Sequence, residues 1–239
     1  MSMRFRVIAA DYDGTLAKDG RVDKNTLETL ARVRASGRKL VLITGRELDS
    51  LRSVFPRLRL FDLIAAENGA LLYDPSTEEE KLLASIPPPK FVQTLQRSGV
   101  KFLSVGRCVV ATVRPHEVEV SKAIRKLKLD LQIIFNRESV MVLPAGVDKG
   151  TGFRAAMAEL RLPGASVVGV GDAENDYAFL RLCGYSVAVA NAIPSLKERV
   201  HAVTSGEDGA GVVEMLQKLL TDEDSLDVAH PSVNDQTSR

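Results

Sequence analysis

Acidic and small polar residues stand at the ends of apolar runs in this chain. Asp11 and Asp13 follow Phe5–Ala10, Thr44 follows Leu40–Ile43, Glu67 and Asn68 follow Leu63–Ala66, and Asp172, Asn175 and Asp176 follow Ser166–Val170. In an open parallel sheet, ligands sit outside the carboxyl ends of the strands, so these groups are predicted to share one edge. Carboxylates crowded there repel one another, and a shared divalent cation is the simplest way to make them tolerable. No histidine or cysteine lies near them in sequence. An all-oxygen donor set points to Mg2+ rather than zinc.

The elements that must hold these residues follow from the apolar pattern. Phe5–Ala10, Leu40–Ile43, Leu63–Ala66, Ser166–Val170 and Ser186–Val189 read as buried strands, with Ala70–Tyr73 as a hairpin arm. Asp23 is placed to cap a helix carrying Leu27, Leu30 and Ala31, with Gly37 beyond its end. Helices are also expected at Phe153–Leu160, Tyr177–Leu182, Pro194–Val200 and Gly211–Leu220. Strands alternating with helices imply a parallel sheet wound on both faces. The rhythm changes between Pro87–Pro89 and Pro144–Gly146. There a helix at Phe91–Arg97, β-runs at Phe102–Val105 and Cys108–Val113, a helix at Val118–Leu127, and β-runs at Leu131–Phe135 and Val140–Leu143 predict an α+β unit. Val118, Ala123 and Leu127 are expected to face inward. The expected organisation is a Rossmann-like α/β core of residues 1–84 and 147–220, an inserted α+β cap of residues 85–146, and a disordered polar tail at 221–239.

Bulk properties narrow the function. The 239 residues are 45% hydrophobic, enough for a core with an inserted module, and the net charge of +1 favours neither nucleic acid nor an anionic membrane. The basic helix around Lys122–Lys128 lacks the interleaved aromatics of a nucleic-acid surface. No apolar stretch approaches the roughly 20 residues that span a bilayer, and Asp11 and Asp13 interrupt any leader-like segment. Two cysteines, Cys108 and Cys183, read as buried free thiols and suit a reducing cytoplasm.

Four motifs in order carry a family resemblance. Asp11-Tyr12-Asp13-Gly14-Thr15, Thr44-Gly45-Arg46, Lys149 at a helix head, and Gly171-Asp172-Ala173-Glu174-Asn175-Asp176 together resemble the haloacid dehalogenase (HAD) superfamily. Asn68-Gly69-Ala70 and Asn191-Ala192 resemble its type IIB capped branch, which holds sugar-phosphate and some phosphoglycolate phosphatases. The resemblance covers residues 3 to 220. Tyr12 replaces the commoner aliphatic residue, and Ala190 stands where glycine often precedes Asn-Ala.

The resemblance implies a phosphatase acting on a small phosphorylated metabolite, with Mg2+ as cofactor and selectivity from the cap. Asp11 would be the nucleophile and Asp13 the general acid and base, with Thr44 and Lys149 on the transferring group. Metal would fall to Asp11, the main chain of Asp13, and Asp172, supported by Asn175 and Asp176. Gly45, Arg46, Asn68 and Asn191 are candidate substrate contacts. Each also has a plainer reading: Asp13-Gly14 and Asn68-Gly69 as turns, Thr44 as a helix cap, Lys149 as a solvated charge, Arg46 as a surface ion pair. Arg107, Arg114, His116 and Arg137 could meet an anionic or hydroxylated leaving group, although most charged residues in such a block face water, and His116, His201 and His230 show no metal or triad pattern. The competing functions are a phosphotransferase or mutase of the same superfamily and a non-catalytic regulatory module beside a fused C-terminal domain.

Overall fold

The computed structural model describes residues 3–222 and Leu226. Its main sheet has eight strands. β1 (Val7–Ala10), β2 (Lys39–Ile43) and β3 (Leu63–Ala66) run parallel outward from the centre, followed by antiparallel β4 (Leu71–Asp74) and β5 (Glu79–Leu82). On the other side of β1 lie β10 (Val167–Gly171), β11 (Tyr185–Ala188) and β12 (Ala202–Val203), all parallel. The strand order reverses between β1 and β10, and the crevice outside their carboxyl ends is the topological switch point of a doubly wound sheet. β1, β3 and β10 are buried along their whole length, which is why their sequences are continuous apolar runs rather than alternations.

Helices α1 (Lys24–Ala35), α2 (Leu48–Val54), α5 (Lys149–Leu160), α6 (Tyr177–Leu180), α7 (Pro194–Lys197) and α8 (Asp208–Thr221) accompany this sheet. α1 packs on α8, and α5 packs on α6 and β3. Asp23 caps α1 as expected, its carboxylate accepting from the Thr26 N–H at 2.9 Å.

Between β5 and α5 the chain builds a second, antiparallel sheet. β6 (Ser104–Val105), β7 (Val110–Val113), β8 (Leu131–Asn136) and β9 (Ser139–Pro144) lie in the order β6-β7-β9-β8. α3 (Pro89–Arg97) and α4 (Glu117–Leu127) pack together over a small core of Phe91, Leu95, Val110, Val120, Ala123 and Val142.

Three expectations need correction. The main sheet extends past the expected hairpin arm, because β4, antiparallel to β3, also pairs with β5. That strand reads Glu-Glu-Lys-Leu and is exposed throughout, so as an edge strand it has no apolar pattern to announce it. β12 is only two residues long and was likewise silent. The first β-run of the inserted unit shrinks to Ser104–Val105, leaving Phe102 77% exposed. On α4, Val118 points outward, and Val120 with Ala123 forms the buried stripe. Most of the tail expected to be disordered, residues 223–225 and 227–239, lies outside the described residues; within it Thr221 ends α8 and Leu226 packs into the main core. Cys108 and Cys183 are buried free thiols.

Candidate active site

Asp11 lies one residue past β1, and Asp172 one residue past β10, so strand pairing sets them side by side across the switch crevice. Lys149 is the first residue of α5, whose N-terminus is fixed by a capping box between Asp148 and Thr151. Its ammonium is buried and donates to Asp11 Oδ1 at 2.5 Å and to Asp176 Oδ1 at 2.6 Å. The second oxygen of Asp176 accepts from the N–H groups of Asp172 and Ala173, which fixes the loop after β10. Asp172 Oδ1 accepts from the Thr15 hydroxyl at 3.1 Å.

Carboxylate oxygens of Asp11, Asp172 and Asp176 all lie within 4.8 Å of one another. Burial, then the charges of Asp176 and Asp172, push the Asp11 carboxyl well above its usual range, against the pull of Lys149. Burial and Asp176 raise Asp172 likewise. Burial alone would lower Lys149, but Asp11 and Asp176 outweigh it and hold the ammonium charged. Burial and the neighbouring carboxylates together thus outweigh what one lysine cancels.

Gly14 bends the chain around this cluster. It sits at φ +77°, and a Cβ there would fall 2.6 Å from Asp172 Oδ2. Asp13, beyond the bend, is clasped by Arg46 through two bonds, Nε to Oδ2 at 2.6 Å and Nη2 to Oδ1 at 2.7 Å. Arg46 also stands over the buried Tyr12 ring at 5.5 Å. The arginine weighed above as a substrate contact is thus placed on a predicted acid–base residue. Thr44 is buried and caps no helix; its Oγ1 accepts from the Arg46 N–H at 3.1 Å. Gly45 lies against Met141 of β9.

Asn68 and Asn175 meet each other, Nδ2 of Asn175 donating to Oδ1 of Asn68 at 2.9 Å. Among the described residues, Asn68 Nδ2 and Asn175 Oδ1 are buried without a partner. Such orphans are uncommon in a native interior and suit a site that receives a polar ligand. Asn191 is placed differently. It ties Gly14 O to Asp208, accepting the Asp208 N–H and donating to its carboxylate, so it braces the loop after β1 against α8.

Sequence reasoning named two further residues without finding what they hold. Arg137, in the β8–β9 turn, reaches across to Asp172 Oδ2 at 2.5 Å. Glu67 is fully buried, and its carboxylate accepts the N–H groups of Arg107, Cys108 and Val109 at 2.7–3.1 Å, joining the two sheets. Asp11, Asp13, Gly45, Arg46, Arg137 and Ser139 are among the residues lining a cavity of about 720 Å3 between the sheets.

Fold and site together define a doubly wound α/β protein with a buried carboxylate–lysine centre at its switch point. The sequence matches the model for haloacid dehalogenase-like hydrolases over residues 8–103 and 101–216. The chain belongs to that family. It is 33% identical over 221 residues to phosphoglycolate phosphatase 2 of Saccharolobus solfataricus, covering 90% of this chain and 92% of that protein. A haloacid dehalogenase-like hydrolase from Bacteroides thetaiotaomicron superposes with a TM-score of 0.79 at 18% identity, over 90% of this chain and 99% of the other. A HAD subclass IIB sugar phosphatase does so at 0.74 and 19% identity, over 90% and 98%. These two structures speak to the fold. Among the described residues, no helix is long and apolar enough to cross a membrane.

Proposed function

We propose that this chain is a Mg2+-dependent phosphatase that hydrolyses a small phosphate monoester through an aspartyl-phosphate on Asp11. The observation that carries the reading is the meeting of Asp11, Lys149, Asp172 and Asp176 at the switch crevice. The phosphoglycolate phosphatase named above supports phosphoglycolate as substrate ahead of a sugar phosphate. Residues 85–146, with their own sheet and core, act as the cap.

The donor set fits a divalent cation. It consists of carboxylate oxygens that repel one another, in a cradle that a Cβ at Gly14 would fill. Asp11 and Asp172 would hold the ion with the Asp13 carbonyl that the family resemblance implies, and Asp176, tied to Lys149 and the loop N–H groups, would support them. When bound it supplies positive charge that offsets repulsion between Asp11 and the phosphate.

Lys149 holds Asp11 Oδ1, which leaves Oδ2 as the attacking atom. Oδ2 bonds to phosphorus as the bond to the leaving oxygen breaks, and Asp13 hands that oxygen a proton. Asp13 then takes a proton from water, which attacks phosphorus and returns Asp11 as a carboxylate with inorganic phosphate released. The Thr44 hydroxyl hydrogen and the Asn68 amide are donors with no protein acceptor among the described residues, available to the phosphoryl oxygens. Arg46 positions Asp13 and does not touch the reacting atoms.

The test is release of inorganic phosphate from phosphoglycolate and p-nitrophenyl phosphate, with and without Mg2+. Asp11→Asn should lower kcat by at least about 1000-fold, as loss of a covalent nucleophile does. Equal rates for the two proteins would remove Asp11 from the mechanism. Phosphate retained on an organic acceptor would make the chain a phosphotransferase.

A further inference from the structure

The β8–β9 hairpin closes with only Arg137 and Glu138 between the paired residues Asn136 and Ser139. Arg137 sits at φ +51°, the left-handed region that glycine or asparagine fills with less strain. An easier turn residue would close the hairpin but could not cross the cavity. The Arg137 guanidinium does cross it, donating from Nη2 to Asp172 Oδ2. Among the described residues, its Nε and Nη1 meet no protein acceptor.

The other cations at this cavity are committed or peripheral. Arg46 gives two donors to Asp13, and Lys149 is held between Asp11 and Asp176. The Lys18 side chain is 71% exposed and stands 4.0 Å from Asp208. Arg137 therefore faces the cavity from the second sheet with spare, planar donors and one hydrogen-bonded anionic partner, while Asp208, already engaged by Asn191, feels its charge from farther off. That partner, Asp172, is a residue assigned above to the divalent cation. With the cation in place Arg137 loses the negative charge it now pairs with, and a guanidinium fork matches a carboxylate best. The phosphoryl group is already served from the core side by the Thr44 hydroxyl and the Asn68 amide, so the anion within reach of Arg137 belongs to the leaving group.

We propose that Arg137 is the specificity-determining residue that binds a carboxylate on the leaving group, so that phosphate esters of short hydroxy acids are selected over uncharged ones. The inference rests on the phosphatase reading and adds to it the residue that reads the leaving group.

Phosphoglycolate and ethyl phosphate share a two-carbon frame and differ by the carboxylate. At saturating Mg2+ the wild type should favour the acid. In Arg137→Ala the ratio of the two kcat/KM values should fall by about 10- to 100-fold, the loss of a charge-assisted contact, and the fall should lie chiefly in KM. Arg137→Lys should recover part of the ratio through charge alone. Binding supplies a readout free of turnover: by calorimetry, 3-phosphonopropionate should bind wild type more tightly than propylphosphonate, and that gap should close in Arg137→Ala. A ratio that moves less than about twofold, or a binding gap that persists, overturns the proposal. A fully active Asp11→Asn protein would instead overturn the phosphatase reading. An inactive Asp11→Asn protein beside a wild type indifferent to the carboxylate would overturn only the role of Arg137.

Discussion

Lys149 keeps its charge inside the protein because Asp11 and Asp176 both accept from it. Replacing it with methionine preserves volume and leaves two buried carboxylates facing each other. We expect Lys149→Met to destabilise the chelator-treated protein by about 3–5 kcal/mol at neutral pH, measured by urea unfolding. The pH dependence has a definite sign. Burial already holds Asp11 above its unfolded value, so the folded state binds the proton more tightly, and stability rises as pH falls through the folded pKa. The deficit of the methionine variant should shrink on acidification; a deficit that grows would refute this account. Asp11 and Asp172 were legible in sequence because a carboxylate directly after a buried strand has few structural uses, and Asp13 through the motif it shares with Asp11. The partners of Arg46, Arg137 and Glu67 were not. Each lies tens of residues away in the chain, and an arginine in a polar turn looks the same whether it meets water or a buried aspartate.

The elements repeat this contrast. Strands buried on both faces, such as β1 and β10, declare themselves as apolar runs, and that was enough to place the polar edge. Edge strands do not: β5 is charged and β12 is two residues long, and both exist because a neighbouring strand offers hydrogen bonds. Two element ends give sharp tests. Partial burial works to raise the Asp23 carboxyl, but the Thr26 hydroxyl and N–H outweigh it and hold it below its usual range. Asp23→Ala should cost about 1 kcal/mol at neutral pH. Because the folded pKa is depressed, that difference should fade as acid protonates the wild-type cap. Gly69 joins β3 to β4 at φ +92°, and a Cβ there would lie 2.0 Å from the Asp148 carbonyl oxygen, next to Lys149. Gly69→Ala should unfold several degrees earlier, in line with a loss of about 3 kcal/mol or more, and should displace the start of α5. An unchanged melting curve would show that the loop yields freely.

At the scale of the molecule, the fold class followed from alternating strands and helices, and the change of rhythm after Pro87 corresponds to the second sheet. How the sheets meet was invisible, since it depends on side chains reaching between them. If the buried carboxylates hold Mg2+, folding and metal binding are linked. Saturating the protein to 100 times its dissociation constant should raise stability by about 2.7 kcal/mol over the chelated form, read as a shift in thermal midpoint. Asp172→Asn should abolish most of that shift, and a full shift in the variant would relocate the ion.

The three N–H groups closed on Glu67 sit at one end of β7, beside Val110, whereas the Arg137 turn adjoins the other end, where Val113 pairs with Ser139. A strand of that length separates them by roughly 10 Å. Were the second sheet to turn about the Glu67 contacts as a door turns on its pin, Arg137 would travel on the free edge and move farther from Asp172 than any group at the pin moves.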